Sequence, residues 1–364
     1  MLKKSNPIII EKDNTVIEKL KIVNPGGFAI VVKANNVTIK ECDLRGGINL
    51  CGSVHDVTVV NNFIHDFELG GDALTIKQIA GVSTTEAEGI FKEQGLGAYN
   101  ITVKGNYFEN VSTGVYIVGA KGNIEVDGNF CKNQFGPFPR GQICQFYKCN
   151  TTPNTYLRIE NNFSYIDGNL PLQRAFMTNG RWGGEDHINC NHCFGCKESP
   201  ILIRNNYIYG GSGSSSNSGI MAGDCGGEYY HILDNTVYYS ENCGIGLCGG
   251  TGSVVKGNRI FQDKPLSWTS REEGRGLQIE CYGTAFYGEN LFEDNVVAFK
   301  TTRPYKYCNM LCRTDTAVFK NNKLCESLEE FGNLDKFPEQ VPPSAEENLI
   351  KPWEIREKEE FYII

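Results

Sequence analysis

No apolar run in this 364-residue chain approaches the roughly 20 residues that a membrane-crossing helix needs, which argues against a helical membrane protein. No helical period runs through its body. Lys and Arg form no cluster and the net charge is −8, so the chain lacks the basic surface that phosphate contact demands, and nucleic acid is not an expected partner. The opening residues 14–34, "NTVIEKLKIVNPGGFAIVVKA", lack the basic, apolar, small-residue progression of a secretion signal and are read as the first turn of the body. With no membrane segment or signal to read, the expected location is cytoplasmic or virion-associated. Only 4 residues are Met, against 41 Gly and 15 Cys.

What is present is a repeat. "SPILIRNNYIYGG", residues 199–211, alternates apolar positions around an Asn break and ends in glycines, the mark of a short strand, a corner and a second strand. Comparable stretches are "VHDVTVVNNFI", "AYNITVKGNYF", "KGNIEVDGNF", "YLRIENNFSY", "YYHILDNTVYY", "TGSVVKGNRIF", "ENLFEDNVVAF" and "TAVFKNNKLC". The equivalent asparagines are Asn62, Asn106, Asn129, Asn162, Asn206, Asn235, Asn258, Asn295 and Asn322, and the shortest steps between them are 23 residues. A third strand falls between these units at 71–78, 113–120, 141–148, 173–180, 217–224, 242–249, 274–281 and 307–314. Three strands per turn, with no helix between them, predict an all-β chain: one right-handed parallel β-helix of ten or eleven coils. The pattern assigns residues 1–325 to the solenoid and the acidic, Pro-containing residues 326–364 to a tail capping its open end. Each corner Asn is expected to adopt a left-handed backbone and to bond the Asn of the next coil, with the aromatic residues after it filling the core.

The cysteines are mostly read as reduced, small apolar residues of the strands. "HINCNHCFGC" stands apart, with His187, Cys190, His192, Cys193 and Cys196 inside ten residues. Two successive Cys-x-x-Cys spacings suit a structural zinc held by Cys190, Cys193, Cys196 and His192, a disulfide clasp, or free thiols, and the sequence leaves all three open.

These repeats resemble the pectin-lyase-like superfamily of right-handed β-helices over about residues 15–325. The resemblance implies a glycan-facing protein of a broad kind: polysaccharide lyase, glycoside hydrolase, uronate epimerase, tailspike or non-catalytic adhesin. Neither the Asp-rich pattern of polygalacturonases nor the Arg-x-Pro-x-x-Arg of pectate lyases is present, so no catalytic residue is carried over by motif.

Geometry supplies candidates. Setting Leu74, Val115, Cys144, Phe176, Ile220, Ile245, Leu277 and Met310 inward turns Lys77, Val118, Tyr147, Asn179, Gly223, Cys248, Glu280 and Arg313 outward, beside the longest loops. Ala222, Gly223, Gly246 and Gly249 then make a bare floor for a sugar chain. Asp224 and Glu280, two coils and about 9 to 10 Å apart, suit an inverting hydrolase that admits water between base and acid, and Trp182 and Trp268 suit stacking on sugar rings. A lyase or epimerase would instead neutralise a uronate carboxylate and remove the proton beside it. Tyr147, Lys148, Asn179 and Arg181 suit that chemistry, with Ca²⁺ as a candidate helper. In the plain reading Asp224 and Asp72 are turn residues, Glu185 and Asp186 are solvated loop acids, and Lys148, Arg181 and Glu280 are solvated. A non-catalytic fibre, trimeric if a tailspike, is the alternative of a different class.

Overall fold

The computed structural model describes residues 2–65, 80–85, 97–134, 136–137, 140–166, 182–211, 217–264, 274–280, 285–301, 306–332 and 353. Nearly all of the strands pair in parallel, each with its counterpart one coil away. One wall is an eleven-stranded sheet running from Val16–Glu18 to Ala317–Lys320. The others form a continuous 21-stranded array around the remaining sides. Only the two-residue pair Gly136–Pro137 and Trp182–Gly183 is antiparallel among the named strands. The chain is thus a single right-handed parallel β-helix. Among the described residues no helix is long and apolar enough to cross a membrane.

Alternation along each strand builds the core, because successive side chains point to opposite faces. Val57, Ile101, Ile124 and Leu157 stand one above another in register and are buried. The asparagine column runs as expected through all nine named positions. Asn106 shows the unit: its backbone N–H and its Nδ2 both donate to Asn129 Oδ1 at 3.0 Å, while Nδ2 also donates to Val59 O at 2.9 Å. The same links join Asn62 to Asn106 and continue to Asn322. Cys42 stands in the corner before Asn62, donating its N–H to Asn62 Oδ1 at 3.0 Å and turning its Sγ to Lys40 O.

Two expectations about this corner are corrected. The left-handed residue is the one before the ladder Asn: Asn61, Asn161, Asn205, Asp234, Asp294 and Asn321 have φ of 52 to 56°, and Gly105, Gly128 and Gly257 of 61 to 68°. The Asn-Asn, Gly-Asn and Asp-Asn pairs therefore divide two jobs, since only the first residue needs a conformation that Gly, Asn and Asp tolerate. Nor do most of the aromatics after the corner fill the core; Phe108 is the exception. Ile64, Phe108, Cys131, Ser164, Ile208, Val237 and Ile260 face inward, while the aromatic residues at Phe63, Tyr107, Phe130, Phe163 and Tyr207 form an outer stripe one residue earlier, with contacts such as Phe63 to Tyr107 at 4.8 Å.

The third-strand register also differs in two coils. The place between Cys144–Tyr147 and Ile220–Glu228 is taken by Ile188–Phe194, not by residues 173–180, so the cysteine motif is part of the wall. Ala80–Thr85 takes the place expected for 71–78. Residues 71–78 and 173–180, with Asp72, Leu74, Lys77, Phe176 and Asn179, lie outside the described residues.

Most of the tail lies outside them too. Its described parts meet the side of the stack: Phe331, in the short helix Leu328–Phe331, is 5.1 Å from Phe261, and Trp353 is 5.8 Å from Phe63. Met310 and Phe319 of the last coil are 39% and 40% exposed.

Candidate active site

The third-strand face carries the polar chemistry. With Ile117, Phe146, Cys190, Ala222, Leu247 and Ile279 in the core, the alternate residues form two outward columns. One contains Tyr116, Gln145, Asn189, Met221, Gly246 and Gln278; the other contains Val118, Tyr147, Asn191, Asp224, Cys248 and Glu280. Ala222, assigned to the floor by sequence, is inside. Gly223, with φ of 74°, is the extra residue of an irregularity between the Cys190 and Asn191 pairings, so Asp224 rather than Gly223 stands beside Asn191. The floor is not bare either, because the side chains of Met221 and Cys243 lie over Gly246. Gly249 is buried in the turn beyond the strand.

Asp224 sits in a network. Its Oδ2 accepts hydrogen bonds from Asn191 Nδ2 at 3.0 Å and Asn189 Nδ2 at 3.4 Å. Asn189 Nδ2 also donates to Asp186 Oδ2 at 2.7 Å, and Asp186 Oδ1 accepts from the Ser218 N–H at 3.0 Å. Gln145 Nε2 donates to Asn189 Oδ1 at 3.2 Å. Asp186, read from sequence as a solvated loop acid, is 4% exposed. Burial pushes its carboxyl up to about 7, against the hydrogen bonds of Ser218 and Asn189, and the charge of Asp224 adds to the rise. Glu185 is buried beside it.

His187 turns the other way, into the core. Its Nε2 lies 2.7 Å from Gly210 O and its Nδ1 2.7 Å from Ser164 Oγ. A carbonyl only accepts, so Nε2 carries the hydrogen and Nδ1 accepts from the hydroxyl. Burial lowers its pKa to about 4 and the ring is neutral.

His192 lies at the outer end of the same strand, partly exposed, with its ring edge-on to Tyr147 at 5.6 Å. Its Nδ1 is 2.5 Å from Asn191 Oδ1, which fixes the hydrogen on Nδ1 and leaves Nε2 a lone pair. The Lys148 ammonium lies 5.1 Å over the Tyr147 ring, and Arg140 4.3 Å over Tyr116 one coil earlier. Tyr147, Lys148 and Asp224 are thus brought to one face. Asn179, Arg181 and Trp268 lie outside the described residues, and of Trp182 only the backbone is described, paired with Pro137.

Glu280 is on this face but engaged: Gln278 Nε2 donates to its Oε2 at 2.7 Å and Arg313 pairs with its Oε1. A general acid must offer a free O–H to the leaving oxygen, and neither oxygen of Glu280 is free to do so.

The proposed zinc ligands are not gathered. Cys190 and Cys193 point into the core, Cys196 lies in a bridge with Ser199, and His192 points out toward Tyr147. Cys193 Sγ instead accepts the Cys149 N–H at 3.4 Å, a sulfur counterpart of the asparagine ladder. Among the described residues no three His, Cys, Asp or Glu side chains converge as metal ligands, and the described cysteines are free thiols. Ca²⁺ does not fit the Asp224 network: it requires six to eight oxygens, whereas Asn189 and Asn191 turn their N–H groups toward the carboxylates.

From sequence, Asp186 reads as a solvated loop acid, Asn189 and Asn191 do not stand out, and His192 reads as a zinc ligand. The signal was the alternation in "HINCN", where Ile188 and Cys190 go in and the asparagines go out; the cysteine spacing masked it.

No family model matches the chain, and no curated protein matches it. Among solved structures it is similar to a mannuronic acid specific polysaccharide family 6 lyase enzyme from human gut microbiota, at 11% identity and a TM-score of 0.49, with 98% of this chain and 95% of that chain covered. At this identity no residue of that lyase is carried over to this chain.

Proposed function

We propose that the protein binds a uronate-containing polysaccharide along the outer face of the third-strand wall and cleaves it by β-elimination. The observation that carries this reading is the Tyr147 and His192 pair standing beside the Asn191 and Asp224 network on adjacent coils. His192 Nε2 takes the proton from the carbon α to the carboxylate. A carbon–carbon double bond forms as the β carbon–oxygen bond breaks, and the Tyr147 hydroxyl gives its proton to the leaving oxygen. The α proton is acidic enough only when charge on the carboxylate is held. The Lys148 ammonium, 5.1 Å over the Tyr147 ring, is the nearby cation for that task. This reading would place the chain with the lyases of the pectin-lyase-like superfamily.

Hydrolysis by Asp224 and Glu280 is supported less, because Arg313 and Gln278 occupy Glu280. The test is incubation with a panel of polyuronates and neutral polysaccharides, following ultraviolet absorbance of an unsaturated product together with new reducing ends. Both signals on an acidic polymer support elimination. Reducing ends without absorbance mean hydrolysis, and neither signal on any polymer returns the protein to the non-catalytic fibre class.

A further inference from the structure

We propose that Met221, Cys243 and Cys248 form a binding site for one soft monovalent metal ion of the copper(I) or silver(I) class. The site lies on the outer wall between the coils of Asp224 and Glu280, and the inference does not depend on the proposed elimination. Cys248 Sγ is 3.1 Å from Met221 Sδ. Gly246 lies beneath them. A Cβ at Gly246 would stand 2.8 Å from Met221 Sδ and 3.2 Å from Cys243 Sγ, so the missing side chain lets these two sulfurs settle over the glycine, with Cys248 Sγ against Met221 Sδ. All three residues are buried and pack as one cluster apart from the main core.

The donor set selects the ion. Two thiols and a thioether are soft ligands, which favour copper(I) over hard cations. A monovalent ion that replaces one thiol proton leaves the net charge of the buried cluster unchanged. Binding forms the Cys248 sulfur–metal bond and releases the Cys248 proton to water; Cys243 and Met221 add their lone pairs. No electron is transferred. Affinity therefore rises with pH.

The test is an anaerobic competition of the reduced, full-length protein with bicinchoninate for copper(I), comparing wild type with Met221→Leu, Cys243→Ser and Cys248→Ser, and with Cys225→Ser as the control for an exposed thiol. Wild type and Cys225→Ser are expected to retain one equivalent that Cys248→Ser loses. Met221→Leu should weaken it by more than about tenfold. X-ray absorption of the loaded protein should show a first shell of sulfur alone. Met221→Leu conserves volume, so it and the absorption measurement carry the test if a cysteine variant fails to fold. Retention of the same equivalent by Met221→Leu and Cys248→Ser, a nitrogen or oxygen shell, or complete surrender of copper by wild type would overturn the site and leave the sulfurs as packing.

Discussion

Asp186 and Asp224, on neighbouring coils, accept hydrogen bonds from the same nitrogen, Asn189 Nδ2, at 2.7 and 3.4 Å. Burial raises the Asp186 carboxyl, and the charge of Asp224 adds to the rise. The network thereby holds a carboxyl of raised pKa behind the outer face, through an asparagine fixed in a strand.

That arrangement sets a pH dependence. Asp186 has a pKa near 7 when folded against an ordinary 3.8, so the folded chain binds more protons between those values; the group's contribution to stability is full below about pH 4 and is lost as pH rises toward 7. His187 is opposite in sign: its pKa falls from 6.5 to about 4, so its contribution is full above pH 6.5 and is lost as pH falls toward 4. The two oppose one another in wild type. Urea midpoints measured from pH 4 to 8 should show Asp186→Asn gaining on wild type as pH rises, and His187→Gln losing ground. Parallel curves for Asp186→Asn and wild type would mean that the carboxyl is not buried beside Asp224.

The asparagine ladder predicts a graded cost. Asn129→Ala strips the acceptor from Asn106 N–H and Nδ2 and the donor from Val103 O and Asn162 Oδ1, all buried. Loss of about 1 to 3 kcal/mol is expected by urea unfolding. Asn161→Gly, which keeps the left-handed conformation and affects only exposed side-chain links, should cost much less. Equal costs would show that the corner depends on backbone conformation rather than on the ladder.

The fold was legible because its determinant repeats. A corner that must satisfy the same buried hydrogen bonds in every coil writes Asn at the same place each time, and the period survives insertions of any length between corners. The site was less legible because it depends on register. Residues 173–180 and 188–194 both present an apolar alternation, and only the pairing with Cys144–Tyr147 and Ile220–Glu228 selects the second. That choice replaced Asn179 with Asn191 on the face. Tyr147 kept its place because its strand was aligned correctly, whereas Asp224 entered the column in place of Gly223 through the irregularity beside Asn191. The outer placement of the aromatics was hidden for a similar reason: residues one and three beyond the Asn share a face, and the inward position between them holds mostly small or aliphatic side chains such as Ser164, Cys131 and Ile208, with Phe108 the aromatic exception.

Trp353 offers a test of how the tail is held. Its ring is 7% exposed and meets Phe63, while Phe331 meets Phe261 under the Arg259 guanidinium at 4.9 Å. Trp353→Ala should leave strand circular dichroism unchanged and make the chain more susceptible to limited proteolysis beyond Gly332. The loss of docking should be a few kcal/mol, about what removal of a buried aromatic costs. Cleavage at the wild-type rate would mean that the Trp353 contact does not hold the tail.

The final prediction separates the chemistries that this face allows. In elimination, His192 and Tyr147 move protons, so His192→Gln and Tyr147→Phe should each lower turnover by roughly 10²- to 10⁴-fold, the usual worth of a positioned acid or base. Asn191→Ala should lower it too, since Asn191 both fixes the His192 tautomer and bonds Asp224. Glu280→Gln keeps its shape and loses only the pairing with an Arg313 that is 63% exposed, so its effect should be small. Steady-state rates on the best polyuronate, with circular dichroism to verify folding, make the comparison. A Glu280→Gln variant as inactive as Tyr147→Phe would restore the carboxylate pair and hydrolysis. Full activity in both His192→Gln and Tyr147→Phe would remove proton transfer from this strand end altogether.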